Sequence, residues 1–174
     1  DKFTRALTAL KAGADLVIEL PFLFACSAGQ DFARGAVGLL GRTHIADRIA
    51  FGMETPEYPC NTLIDAIDTP EYSRALRREL GRGASYSKAN AIALEHVLPG
   101  SSDFISKPNN MLAVSYMREI RKNGYALEVM PVKREGEISS RAIRDDIFSN
   151  LGMMPQYSRE LLLCAEREGR LCDE

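Results

Sequence analysis

An α/β domain built on a parallel sheet is the fold class this sequence predicts, and three observations lead to it. Amphipathic helical segments alternate with short β-like segments from Lys2 to Gly52. Short links between such unlike elements favour parallel strands with helices packed on them. The β-like segments are brief, rich in Val and Ile, and bounded by Gly or Pro, as buried strands are. The 174-residue chain is 45% hydrophobic and 26% charged, the balance of one globular domain rather than of a disordered or collagen-like chain.

Taken in order, residues 2–12 place Phe3, Ala6, Leu7 and Leu10 on one face, and Gly13 closes that helix. Residues 15–20 read as a buried strand stopped by Pro21. Ser27 and Gln30 have the spacing of a capping box, Ser at the N-cap and Gln at N3. The helix they open carries Phe32, Ala33, Ala36, Val37 and Leu40, and residues 45–51 form the next strand. Residues 59–98 are mainly helical, in three pieces at 61–68, 70–80 and 85–98. Pro108 suits the first turn of a helix that ends at Asn123-Gly124. A third strand spans 126–132, a helix runs from Ser139 or Ser140 to about Phe148, and a last one covers roughly 158–168. Three strands make a thin sheet, and a missing N-terminal strand accounts for the shortfall. The chain also opens directly into a helix without an initiator Met, so it reads as an excerpt of a longer protein.

Composition narrows the function classes. The 22 basic and 24 acidic side chains leave a net charge of −2, so only a local basic patch is available for nucleic acid. No apolar run reaches the ~18 residues of a membrane span, and no apolar leader is present. The four cysteines (Cys26, Cys60, Cys164, Cys172) form no C-x-x-C pair, and only His44 and His96 could join them. Reduced thiols in a cytoplasmic protein without a metal site are the expectation.

Ligands of open α/β sheets gather at the carboxyl ends of strands. Gly52 follows the second strand, where it is either a plain turn glycine or a point of close backbone approach to a ligand. The third strand runs into Lys133-Arg134, and Ser139, Ser140, Arg141 and Arg144 follow. Serines at a helix start with arginines alongside suit phosphate, and equally suit a capped, solvated helix. Asn109, in the string Ser106-Lys107-Pro108-Asn109-Asn110, either reads a base or ribose edge or caps its helix. No Walker-type or G-x-G-x-x-G string and no Ser-His-Asp arrangement is present.

Several strings in order resemble one family. They are Asp1-Lys2…Arg5…Ala9-Leu10…Gly13…Asp15-Leu16-Val17-Ile18-Glu19-Leu20-Pro21, Phe32-Ala33-Arg34-Gly35-Ala36-Val37, Phe51-Gly52-x-Glu54, Gly83-Ala84-Ser85-Tyr86, Ser106 to Asn110, and the helix start from Ser139 to Arg144. The family is the bacterial tRNA(Met) cytidine acetate ligases, of the HxGH-type nucleotidyltransferase superfamily. The resemblance covers about residues 1–150. A fainter echo follows in Pro155-x-Tyr157-Ser158-x-Glu160-Leu161.

The resemblance implies a Rossmann-like nucleotidyltransferase domain over 1–150, with its first strand missing and a helix-rich insertion. The start of a helical C-terminal region would occupy 151–174. It implies a reaction in which acetate and ATP give acetyl-adenylate, with Mg²⁺ as helper, and the acetyl group passes to N4 of the wobble cytidine of elongator tRNA(Met). DNA and membrane are not expected partners. By motif position, Gly52, Asn109 and Arg134 match ATP-binding positions, and Ser139, Ser140 and Arg144 fall on the phosphate-binding helix start. The family's HxGH histidines precede the position of residue 1, so the fragment alone is expected to be inactive. Only residues 135–138 separate Arg134 from Ser139, where relatives carry a longer loop with a Tyr-His pair. That shortening motivates a second reading, nucleotidyl transfer to a different small substrate. A third is a non-catalytic nucleotide- or RNA-binding module.

Overall fold

A computed structural model describes residues 1–134 and 140–171. In chain order its elements are α1 (Lys2–Lys11), α2 (Phe22–Ala25), α3 (Gly29–Thr43), β1 (Arg48–Met53), α4 (Cys60–Ile67), α5 (Pro70–Gly81), α6 (Tyr86–Val97), α7 (Ser102–Ile105), α8 (Pro108–Asn123), β2 (Glu128–Lys133), α9 (Ser140–Asp145), a 3₁₀ turn (Leu151–Met153) and α10 (Gln156–Arg167). They fall into two compact units. One comprises Asp1–Glu19 with the described residues from 140 onward, and the other runs from Leu20 to Arg134.

The larger unit is the α/β core. β1 and β2 pair in parallel, Arg48 opposite Glu128 through Met53 opposite Lys133. A parallel pair needs a long crossover, and here α4 to α8 supply it. Met53, Leu63, Ile64, Leu94, Phe104 and Val114 form the main core, joined by the stacked rings of Tyr58 and Phe104, 3.8 Å between centroids. Val37, Ile49, Ile120 and Leu127 form a second cluster beneath the sheet's first residues. Each such side chain is worth roughly 1.5–3 kcal/mol on burial.

Two glycines set how closely α3 is approached. A Cβ on Gly41 would lie 2.5 Å from Cγ of Tyr125, and one on Gly35 would run into the Phe24 ring. Between them, a Cβ on Gly38 would meet nothing nearer than the Tyr125 hydroxyl at 4.0 Å. α3 ends at His44, which takes the left-handed conformation at φ 55°. That is an uncommon backbone for a non-glycine residue, and His is among the few enriched in it.

The parallel sheet and most helices stand as expected, the latter to within two or three residues. Two expectations are corrected. Residues 15–20 form no strand, and Leu16, Val17 and Ile18 are exposed. An apolar pattern makes a strand only where a neighbour takes its N–H and C=O groups, and among the described residues none runs beside this segment. Ser27 is not the cap of α3. Ala28 holds the N-cap position, and the Ser27 hydroxyl donates backwards to the Leu23 carbonyl, closing the short α2 that the sequence reading passed over. α7 is another short helix that the sequence reading passed over.

The smaller unit is helical. Asp1 caps α1 by accepting from the Thr4 N–H at 2.8 Å, and Lys2 donates to Glu19 at 2.8 Å. α1 packs on α10. Among the described residues, no helix is long and apolar enough to cross a membrane.

Candidate functional site

The carboxyl ends of β1 and β2 and the start of α8 meet in one place. Because β2 runs beside β1 in register, Arg134 follows directly on Met53, and its N–H donates to the Met53 carbonyl at 2.9 Å. The Arg134 side chain then crosses over Gly52. Its Cγ is 3.3 Å from where a Cβ of residue 52 would sit, so a larger residue there would press on the arginine. Both residues are exposed, and Arg134 forms no ion pair among the described residues. An open guanidinium above a bare stretch of backbone is suited to an anion.

Two residues beyond Gly52, Glu54 turns its carboxylate onto the N-terminus of α8. Oε2 accepts from the Asn110 N–H at 2.8 Å. Oε1 accepts from Nδ2 of Asn109 at 2.6 Å and from the Asn109 N–H at 3.4 Å. The free N–H groups of a helix start and its dipole favour such an anion. α8 has no side-chain cap of its own, since Lys107 stands at the N-cap position. Partial burial of the Glu54 carboxyl pushes its pKa up, but the hydrogen bond from the Asn109 side chain and those from nearby backbone N–H groups outweigh it. The net result is a pKa below the ordinary carboxylate value.

Asn110 completes the clasp from the other side and is fully buried. Its Oδ1 accepts from the N–H groups of Glu54 and Thr55, both at 3.0 Å. Its Nδ2 donates to Thr55 Oγ1 at 3.2 Å and to the Phe104 carbonyl at 3.1 Å. All four hydrogen-bonding positions of one amide are thereby used. The Glu54–Asn110 exchange locks the strand end to the helix start and fixes where Gly52 and Asn109 sit.

Of the residues singled out from sequence, Gly52, Arg134 and Asn109 are brought together here. Asn109 is half-buried and spends part of its amide on Glu54, and its Oδ1 accepts no hydrogen bond among the described residues. Ser140 opens α9 and Arg144 stands exposed near its end, both in the smaller unit. Ser139 lies outside the described residues. His44 and His96 are exposed on α3 and α6 and take no part. Sequence reasoning left Glu54 without a role and did not separate Asn110 from Asn109. The one available signal was a doubled Asn after Pro108, which does not say which amide faces inward. No group of three His, Cys, Asp or Glu side chains able to hold a metal occurs among the described residues.

Known proteins resemble the chain in sequence and in fold. Residues 1–151 match the family described as HIGH Nucleotidyl Transferase. A tRNA(Met) cytidine acetate ligase of Caldanaerobacter subterraneus is 40% identical over 145 residues, covering 79% of this chain and 36% of that protein. The protein of the same name from Syntrophomonas wolfei is 36% identical over 168 residues, covering 87% and 40%. The crystal structure of Thermotoga maritima TmcAL bound with α-thio ATP superposes with a TM-score of 0.82 at 31% identity, over 98% of this chain and 45% of that one. Its apo form matches equally, at 0.82 and 29% identity. The chain thus spans less than half the length of these relatives.

Proposed function

Because the chain belongs to the HIGH nucleotidyl transferase family, we propose that it is part of an ATP-dependent ligase that activates acetate and acetylates the wobble cytidine of elongator tRNA(Met). The observation that carries this reading is the Gly52–Arg134 pair at the strand ends, anchored to α8 through Glu54 and Asn110. The names of the relatives supply the substrates. Residues 1–150 would belong to the nucleotidyltransferase domain, and 151–174 would begin a helical region that continues in the relatives.

In this reading Gly52 admits ATP close to the backbone, and Arg134 balances the charge of its phosphates. The free Oδ1 of Asn109 accepts from the ribose or base, its amide being held in place by Glu54. Ser139, Ser140 and Arg144 are assigned to phosphate on motif position alone. A carboxylate oxygen of acetate attacks the α-phosphorus, and the bond to the departing pyrophosphate breaks. The cytidine N4 amine then attacks the acetyl carbonyl, and AMP leaves with the bonding pair while N4 loses a proton. Such displacements are accelerated by alignment and by fixed positive charge more than by a protein nucleophile. Glu54 is committed to α8.

The test is acetate-dependent exchange of labelled pyrophosphate into ATP by the full-length gene product. Exchange that requires acetate is expected, and Arg134→Ala should reduce it at least about tenfold, the loss of one charge-assisted contact. Exchange without acetate would favour the second reading, nucleotidyl transfer to another small substrate. An Arg134→Ala protein as active as wild type would remove Arg134 from the site.

A further inference from the structure

We propose that the solvent face of α5, continued through Arg82 and Lys88, is a docking ridge for the phosphate backbone of an RNA. The proposal rests on the RNA acceptor named above, but it concerns other elements than the ATP site and is tested separately.

The chain as a whole is slightly acidic, yet residues 70–88 carry an excess of three positive charges. Arg74, Arg77 and Arg78 fall within an arc of about 100° on α5, and all three are exposed. The opposite face, with Tyr72, Ala75 and Glu79, is buried. Arg74, Arg78 and Arg82 are also held. Glu79 is 6% exposed, and its Oε1 accepts from Arg78 Nε at 3.1 Å and from Arg82 Nη1 at 2.8 Å. Glu71 holds Arg74 at 2.6 Å. Each guanidinium keeps further N–H groups turned to solvent, with part of its rotamer freedom already lost, which lowers the entropic cost of binding. Arg77 and Lys88 form no ion pair among the described residues.

Arginine suits phosphate because its planar fork meets two oxygens at once. An anionic membrane is the poorer fit. A helix that lies on a membrane inserts its apolar face, and the apolar face of α5 is already spent on α6 and the core.

The experiment measures binding of the full-length protein to an anticodon stem-loop of elongator tRNA(Met) across a salt series. The variant is Arg77→Ala with Lys88→Ala, two exposed side chains without ion pairs, and a thermal melt verifies its fold. The slope of log affinity against log salt should fall by about two, one unit per lost phosphate contact. The control is Arg42→Ala with Lys122→Ala, equal in charge and likewise without ion pairs among the described residues, and its slope should not change. The ridge is overturned by an unchanged slope in the first variant, by an equal fall in the control, or by a wild-type protein that does not bind the stem-loop. It is also overturned if binding to phosphatidylserine vesicles falls while RNA binding does not. Acetate-dependent pyrophosphate exchange involves no RNA, so it judges the ligase reading independently of the ridge.

Discussion

Replacing Glu54 by Gln tests the clasp that joins β1 to α8. The carboxylate accepts the Asn110 N–H at 2.8 Å and the Asn109 amide at 2.6 Å. Gln offers one oxygen where Glu offers two, so one of these donors must face an NH₂ group instead. Loss of a charge-assisted hydrogen bond is worth about 1.5–3 kcal/mol, and loss of the charge at the helix start about 0.3–1 kcal/mol more. Together these predict a destabilisation of roughly 2–4 kcal/mol at neutral pH. The urea midpoint should fall while the slope of stability against urea stays the same, since the surface exposed on unfolding is unchanged. The pH dependence gives the sharper check. The folded carboxyl titrates below the ordinary value of 4.5, so its contribution is complete above that value. It is lost as pH falls through the folded pKa, because the unfolded chain takes up the proton first. The gap between wild type and Glu54→Gln should therefore narrow between neutral pH and about pH 3.5. A gap of equal size at both, or none at neutral pH, would refute the account of Glu54 as the charged cap of α8.

Two further substitutions probe the packing. Gly41→Ala puts a methyl 2.5 Å from the Tyr125 ring and should destabilise by about 1–3 kcal/mol, whereas Gly38→Ala, whose methyl would meet only the Tyr125 hydroxyl at 4.0 Å, should stabilise by up to ~1 kcal/mol. Equal thermal midpoints for the two would show that Tyr125 does not lie against α3. Tyr72→Phe removes the hydroxyl that donates to Oδ1 of the buried Asn90 at 2.6 Å. It leaves that oxygen without a partner and should cost about 1–3 kcal/mol by urea unfolding. Burial, the leading cause, raises the Tyr72 pKa far above neutral, so this loss should be the same at pH 6 and at about pH 9.

How much of this was legible in the chain depends on the range of the interaction involved. Helix patterns at Phe3-Ala6-Leu7-Leu10 and Ala33-Val37-Leu40, the Pro108 start, and the Ser85 cap that accepts from the Lys88 N–H are local. Periodicity and capping chemistry within one or two turns decide them. The parallel pairing of β1 with β2 was also within reach, because an intervening run of helices leaves few other connections. The segment 15–20 shows where such reasoning stops. Its Leu16-Val17-Ile18 pattern is as strand-like as that of β1, but a ladder depends on a neighbour the pattern does not contain. Ser27 fails similarly: its spacing to Gln30 suits a cap, yet its hydroxyl closes α2.

The candidate site divides along the same line. Chain chemistry left Gly52, Asn109 and Arg134 open between structural and ligand-binding roles, and the family resemblance singled them out. Only the fold decided that Arg134 lies over Gly52: parallel register sets Gly52 opposite Val132, and the side chain of Arg134, two residues further on, reaches back over it across 82 positions of sequence. The fold likewise assigned Asn110, rather than Asn109, to the buried clasp with Glu54. Adjacent residues on a helix point about 100° apart. Which of the two amides turns inward is set by the elements packed around α8, and nothing in a doubled Asn records that choice.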